Sequence, residues 1–273
     1  MLAALVGVGV WFANTTESTK THSSEYTMNA KNSDAPFGDG SCNVAVIPIS
    51  GEIVPYAGAY DSDPESFDYT DPDYVTSLLH DAEDDSDIKG VLVRIDSGGG
   101  SPVASEIMAN AFKHSSLPVV ALIREIGASG AYLAATGAKT IIASPFSDVG
   151  SIGITMSYVD NSAKNTKDGL QYESLTSAKF KDYGNPDKPL TDDERTLFKR
   201  DLAILHEQFV KEVSENRHLP INTVEALADG SSMPGGMALK NSLIDQLGDE
   251  ETAREWFAKQ LNMSPEDIVF CDK

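Results

Sequence analysis

Hydrophobic and polar positions follow two periods along this chain, and the switches between them mark its elements. Val44 to Ile49 is an apolar run of strand length, followed by Gly51-Glu52-Ile53-Val54. Val75, Leu78, Leu79 and Ala82 then recur at the i, i+3, i+4, i+7 spacing of a helix face. Pro72 suits the first turn of that helix and Asp71 its cap. Val91 to Ile95 is a second apolar run, ending in Asp96-Ser97-Gly98-Gly99-Gly100-Ser101. Pro102 opens the next helix, with Val103, Ile107, Met108 and Ala111 expected inward. A strand at Val119 to Ile123, a helical run at Tyr132 to Ala138 and a strand at Thr140 to Ala143 follow. Strand, helix, strand, helix in this rhythm predicts an α/β fold with a mostly parallel sheet.

The second half is more helical. Gly150-Ser151-Ile152-Gly153 precedes a strand-like run to Met156, and Leu170 to Leu175 reads as a further strand. Thr191 and Glu194 form a capping box for a long helix, with Leu197, Leu202, Leu205, Phe209 and Val213 on its expected buried face. Asn222 with Glu225 is expected to cap a shorter helix, Pro234 begins another, and a last helix spans Glu250 to Leu261. Four segments result: 1–13, 14–43, a folded domain over 44–262 and a C-terminal tail over 263–273.

The N-terminus changes the picture. Met1 to Ala13 is uninterruptedly apolar, yet as a helix it would reach only about 20 Å, short of the roughly 30 Å hydrocarbon core. No positive charge precedes it, so a signal-peptide core, a truncated membrane anchor and a buried first element all remain open. The stretch after it is rich in Ser, Thr, Asn and Asp and reads as a flexible linker. A greasy segment on a polar tether favours anchor or signal, and the scarcity of positive charge after it suits an extracytoplasmic linker.

Forty-two acidic against 21 basic residues give a net charge of −21, which disfavours nucleic acid and anionic lipid headgroups as electrostatic partners. Between Asp61 and Asp87 there are 11 acidic residues and no Lys or Arg. Asp61-Ser62-Asp63 and Asp71-Pro72-Asp73 lack the spacing of an EF-hand, so a solvated acidic loop is the reading, and no metal site is assigned. Cys42 and Cys271 form no Cys-x-x-Cys pair; an oxidising compartment would permit a bridge between them.

Candidate chemistry centres on Arg124 to Ala135. Ser129 sits among small residues at a strand-to-helix junction, where its hydroxyl would be exposed and the Gly130 amide would point at whatever it attacks. That is a nucleophile with half an oxyanion hole. The Gly98 to Gly100 turn also follows a strand, so both turns are expected on one edge of the sheet. The turn lacks a Walker sequence or a Gly-x-Gly-x-x-Gly fingerprint, and a second oxyanion donor from Gly99 or Gly100 fits it better than phosphate. The base is open on these grounds. His22, His80, His114, His206 and His218 are the histidines, His114 standing out because its helix starts at the glycine turn. A lysine would have to fall from about 10.4 to about 7.5, which needs about 4 kcal/mol of desolvation, and Lys181 lies between Phe180 and Asp182 in no obviously dry context.

Four segments, in order, resemble the signal peptide peptidase A family of the Clp protease/crotonase-like superfamily. Arg94-Ile-Asp-Ser97-Gly-Gly-Gly100 is similar to its Arg-x-Asn-Ser-Pro-Gly-Gly turn, and Ala128-Ser129-Gly130-Ala131-Tyr132 to its Ala-Ser-Gly-Gly-Tyr element. Gly150-Ser151-Ile152-Gly153 matches Gly-Ser-Ile-Gly, and Phe180-Lys181-Asp182 resembles Tyr-Lys-Asp. Ala228-Asp229-Gly230 and Leu243 to Gly248 extend the likeness, which spans Val44 to Gly248.

The resemblance implies a spiral of mostly parallel strands with flanking helices. It implies a Ser-Lys serine peptidase in which Ser129 is the nucleophile, Lys181 the base and Ser151 the group orienting the lysine. Gly99, Gly100 and Gly130 would supply the oxyanion hole, with no metal or other cofactor. The implied partners are peptide substrates, namely signal peptides and unfolded apolar segments, and further copies of the chain, with serine and lysine able to come from neighbouring subunits. The membrane is the expected location, reached through the N-terminal segment, with the catalytic domain extracytoplasmic. Gly98 stands where the family has proline, and Ala131 where it has glycine. The alternatives are a phage-type head-maturation protease of the same family, an inactive homologue serving as an oligomeric scaffold, and an acyl-CoA enzyme on the crotonase fold.

Overall fold

Apolar residues run almost without a break along the central strands, so both faces of one sheet are buried. The computed structural model describes residue 37, residues 41–56 and residues 68–271; the apolar segment 1–13, His22, Asp61 and Asp63 lie outside them. The strands are β1 (Val44–Ile53), β2 (Tyr69–Thr70), β3 (Gly90–Gly100), β4 (Val119–Ala128), β5 (Thr140–Ala143), β6 (Asp148–Gly150), β7 (Ser232–Pro234), β8 (Gln246–Leu247) and β9 (Phe270–Cys271). The helices are α1 (Pro72–Asp84), α2 (Pro102–His114), α3 (Gly130–Thr136), α4 (Ser162–Lys167), α5 (Asp192–Arg217), α6 (Ile221–Glu225), α7 (Gly235–Lys240) and α8 (Glu250–Leu261). Strand order is β2-β1-β3-β4-β5-β8, all parallel, with β9 also parallel on β1; β6 branches from β4, and β7 pairs it antiparallel. This is the mostly parallel sheet with flanking helices that periodicity and resemblance both imply.

On one face Ala45, Ile47, Val91, Val93, Ala121, Ile123 and Ile141 pack with residues of α1, α2, α3 and α5. Their neighbours Val46, Leu92, Val120, Leu122 and Ile142 face the other way, against Ala253, Phe257 and Ala258 of α8. A parallel strand with both faces covered reads as a continuous apolar run, which is why these strands were legible. Helix starts follow capping chemistry. Asp71 accepts from the Tyr74 amide, Ser101 from that of Ala104, and Thr191 and Glu194 close their capping box at α5.

The structure corrects several expectations. Leu170 to Leu175 is irregular and exposed, and no strand runs from Gly153 to Met156; both stretches lie off the sheet, with no strand edge to pair. Asn222 lies inside α6, which starts after Pro220. On α2 the buried set is Ala104, Ser105, Met108, Ala109 and Phe112, so Val103 and Ile107 face outward. On α5 only Phe209, Val210 and Val213 of its apolar residues are buried, and Leu205 is exposed because the first half of the helix stands clear of the core. The stretch 263–271, expected as a tail, contributes β9 to the sheet, and a Cys42–Cys271 disulfide fastens that strand to the start of β1.

Shifts of register between strands position Ser129. β3 and β4 pair in step from Val91 to Ile95, and then Ser97 meets Gly127, leaving Arg124, Glu125 and Ile126 in a bulge on β4. The Ile126 amide is taken up by the Asp96 carboxylate at 3.2 Å. Past the bulge β4 leaves β5 and pairs with β6 instead, so the strand ending at Ser129 is lifted between two partners. Tyr132, wholly buried, donates from its hydroxyl to the Leu243 carbonyl at 2.8 Å and pins α3 beneath. Burial pushes that phenol well above its ordinary pKa, so it stays a donor.

Candidate active site

Ser129 occupies a backbone conformation that L-residues avoid. It is the N-cap of α3 at φ 51° and ψ −123°, and its side chain makes no capping bond. Such strain costs about 1–3 kcal/mol and persists only where the surroundings enforce it. Here its amide donates to the Gly150 carbonyl at 2.7 Å, its carbonyl accepts from Leu133 at 3.0 Å, and α3 is buried along its whole length. The hydroxyl is left half-buried at a strand-to-helix turn, beside the Gly130 amide, which has no acceptor within the helix. A nucleophile elbow has this form.

The glycine turn is fitted against it. Gly99 has φ +100°, and a Cβ there would lie 2.6 Å from the Gly130 nitrogen and 2.9 Å from Ser129 Cβ. The Gly100 nitrogen lies 3.2 Å from where a Gly130 Cβ would stand, so these two backbones touch. The Gly99 amide donates to Ser97 Oγ at 3.1 Å, and Ser97 Oγ donates to the Gly51 carbonyl at 2.6 Å. Of the two glycines named as donors, Gly100 is therefore the one whose amide is not taken up by Ser97. Ser97, buried, positions the turn; its place directly before three glycines was the available signal. Gly98, where the resemblance expects proline, is exposed, and a Cβ would meet only Ile126 Cδ1 at 3.9 Å. Gly99→Ala is expected to lower hydrolysis by about 100-fold or more through displacement of the turn. Gly98→Ala should keep activity and change stability by less than about 1 kcal/mol. Peptide hydrolysis and urea unfolding of the two variants check this.

Ser151 follows the Gly150 carbonyl that holds Ser129. It also has positive φ, 53°, and donates from Oγ to the Gly230 carbonyl at 3.0 Å. Lys181 is elsewhere. Its side chain is exposed, on the irregular stretch between α4 and α5, and does not line the cleft at Ser129. Its neighbour Asp182 accepts from Tyr172 Oη at 2.7 Å and from Asn185 Nδ2 at 3.0 Å, and the Tyr172 bond holds that carboxyl below its ordinary range. Tyr183 packs on Phe198 of α5 with ring centres 5.1 Å apart. The lysine loop is thus built and braced by bonds within its own stretch and by a ring contact to α5. Among the described residues no histidine lines the cleft at Ser129. His114 Nδ1 pairs with the Asn110 carbonyl, His206 Nε2 with that of Ala228, His218 caps α5, and His80 is exposed.

A cleft of about 180 Å³ opens beside Ser129, Gly130 and Gly100, between α2, α3 and α5. That is space for a side chain. Among the described residues no group of three His, Cys, Asp or Glu could hold a metal ion.

A parallel α/β sheet carrying a strained serine at a helix N-terminus, with a second backbone turn pressed against it, defines a hydrolase-type site. Residues 111–264 match the family model of peptidase family S49, and the chain belongs to that family. A protein described as a protease in Methanocaldococcus jannaschii is 33% identical over 84% of this chain and 80% of its own length. One bearing the signal peptide peptidase SppA name in Enterococcus faecium is 28% identical over 74% of this chain and 59% of its own length. Among solved structures, a variant of ClpP1 from Listeria monocytogenes aligns with 75% of this chain and 91% of its own, at a TM-score of 0.49 and 12% identity.

Proposed function

We propose that this peptidase is a Ser-Lys serine endopeptidase that hydrolyses residual signal peptides or other unfolded apolar segments, anchored at a membrane with its catalytic domain outside the cytoplasm. The observation that carries the reading is Ser129, strained and uncapped at the head of α3, with the amides of Gly130 and Gly100 beside it. Ser129 Oγ attacks the peptide carbonyl while its proton passes to neutral Lys181 Nζ. The two amides hold the oxyanion, Lys181 returns the proton to the departing amine, and water then releases the acyl group.

Lys181 needs desolvation to be neutral, and in one chain it is exposed. A neighbouring copy would supply both the burial and the missing approach to serine. Exposed apolar side chains favour association: Met156, Val159, Leu170 and Leu175 in the irregular stretches that flank Lys181 in sequence, and Ile204 on α5. The reading is a homo-oligomer whose dyad is completed between subunits. Mixing inactive Ser129→Ala with inactive Lys181→Ala should then restore hydrolysis of a signal-peptide-like substrate. Loss in each variant with no recovery on mixing, despite exchange of subunits, would place the lysine in the same chain. Activity surviving Lys181→Ala would remove it as the base.

The disulfide supports an oxidising compartment, and the apolar run at 1–13 supports a membrane address. Among the described residues no helix is long and apolar enough to cross a membrane.

A further inference from the structure

The cleft at Ser129 is apolar near the nucleophile and acidic further along its length. Its apolar wall is Val103 of α2, Leu133 of α3, and Leu205 and Phe209 of α5; Glu106 and Glu212 also line it, and no Lys or Arg does. The hydrogen bonds at the far ends of these helices give the direction. α2 and α3 both start at the catalytic edge, after Gly100 and at Ser129. At their other ends Lys113 Nζ donates to Asn216 Oδ1 at 2.8 Å, and Asn216 Nδ2 to Thr136 Oγ1 at 3.0 Å. From Leu205 to Asn216, α5 therefore runs away from Ser129 alongside both. Glu106 stands one turn beyond Val103, and Glu212 one turn beyond Phe209, so each carboxylate lies further from the nucleophile than the apolar residue before it. Neither is in an ion pair among the described residues; Glu212 accepts only the Gln208 amide, at 2.7 Å.

We propose that this cleft is a subsite for a lysine or arginine side chain of the substrate, its stem held by Val103, Leu133, Leu205 and Phe209 and its charge by Glu106 and Glu212. The inference rests on the peptidase reading of Ser129 and adds which residue stands beside the scissile bond. An aliphatic stem of three or four methylenes carrying a cation matches an apolar throat with carboxylates beyond it. A purely apolar side chain would leave the carboxylates unanswered, and an acidic one would be repelled by them and by a chain of net charge −21.

The test is a set of otherwise identical fluorogenic peptides with lysine, arginine, norleucine or glutamate at the position beside the cleaved bond, the bond being mapped by mass spectrometry. Full-length wild type should favour lysine and arginine over norleucine by about tenfold in kcat/KM, with the ratio falling as salt rises. In Glu106→Gln/Glu212→Gln that ratio should collapse to about one, and in Glu212→Lys the glutamate peptide should gain relative to lysine. Binding of the same peptides to Ser129→Ala, read by fluorescence anisotropy, separates this subsite from the chemistry. A lysine preference in binding supports the subsite even if no peptide is hydrolysed. Equal binding or cleavage of lysine and norleucine peptides by the unaltered subsite, or a preference that survives the double glutamine variant, overturns it.

Discussion

Ser129→Ala is expected to abolish peptide hydrolysis, lowering kcat by at least about 10⁴-fold, because the remaining amides stabilise an oxyanion that no longer has a nucleophile to form it. A second substitution at the same place distinguishes catalysis from folding. Ser129 holds φ 51° and ψ −123°, a conformation open to glycine, so Ser129→Gly should be just as inactive yet more stable than wild type by about 1 kcal/mol. Urea unfolding of the two variants beside wild type reads the difference. A strained residue whose replacement by glycine stabilises the fold and removes activity is one held in place for chemistry. If Ser129→Gly proved less stable than Ser129→Ala, the conformation would be a packing consequence and the nucleophile assignment would lose its structural support.

The largest stability effect is expected at the other end of the sheet. Cys42 and Cys271 are separated by 229 residues, and their bridge closes a loop over nearly all of the described fold. In the chain-entropy account a loop of this length contributes about 5 kcal/mol by restricting the unfolded chain. The bridge also fastens β9, only two residues long and paired at Val44 and Ala45, to the start of β1. Cys42→Ser/Cys271→Ser should therefore unfold at markedly lower guanidinium, with Val44 and Ile268 among the first residues to lose protection. A reductant should produce the same shift in wild type and none in the double variant. Unchanged unfolding on reduction would mean that the thiols are not bridged in the purified protein, and the oxidising compartment would lose its support.

The sheet was legible because its parallel strands are buried on both faces, so Val91 to Ile95, Val119 to Ile123 and Thr140 to Ala143 stand out as apolar runs. The long helix was legible from Thr191 and Glu194, whose capping box is local chemistry. What periodicity misread is instructive. Val103 and Leu205 repeat in step with core residues and were expected inward, yet both line the cleft at Ser129. An apolar residue kept for a ligand carries the same pattern as one kept for the core, and only the packing of α2 and α5 separates them. The strand-like run Leu170 to Leu175 failed because apolar residues spaced among polar ones mimic a half-buried strand even where, as here, the stretch is irregular and exposed.

The site divides along the same line. Ser129, Gly130, Gly99 and Gly100 come together because they lie at the C-terminal ends of the neighbouring parallel strands β3 and β4, a relation that sequence order reveals. The three-residue bulge at Arg124 to Ile126, past which β4 exchanges β5 for β6 on the way to Ser129, left no sequence signal, since register is decided by pairing. Ser97, which anchors the glycine turn on Gly51, was visible as a residue but not as a support. Lys181 is carried by a loop whose bracing, through Tyr172, Asp182 and Asn185, lies entirely within the stretch outside the sheet. No pattern in one chain relates that loop to Ser129.

The most direct measurement is to trap the acyl-enzyme on the full-length protein with a slowly hydrolysed peptide ester and locate it by intact and peptide-level mass spectrometry. The account predicts one adduct, on Ser129, forming quickly in wild type, much more slowly in Lys181→Ala, and not at all in Ser129→Ala. An adduct on another residue, or peptide hydrolysis that persists in Ser129→Ala, would contradict it.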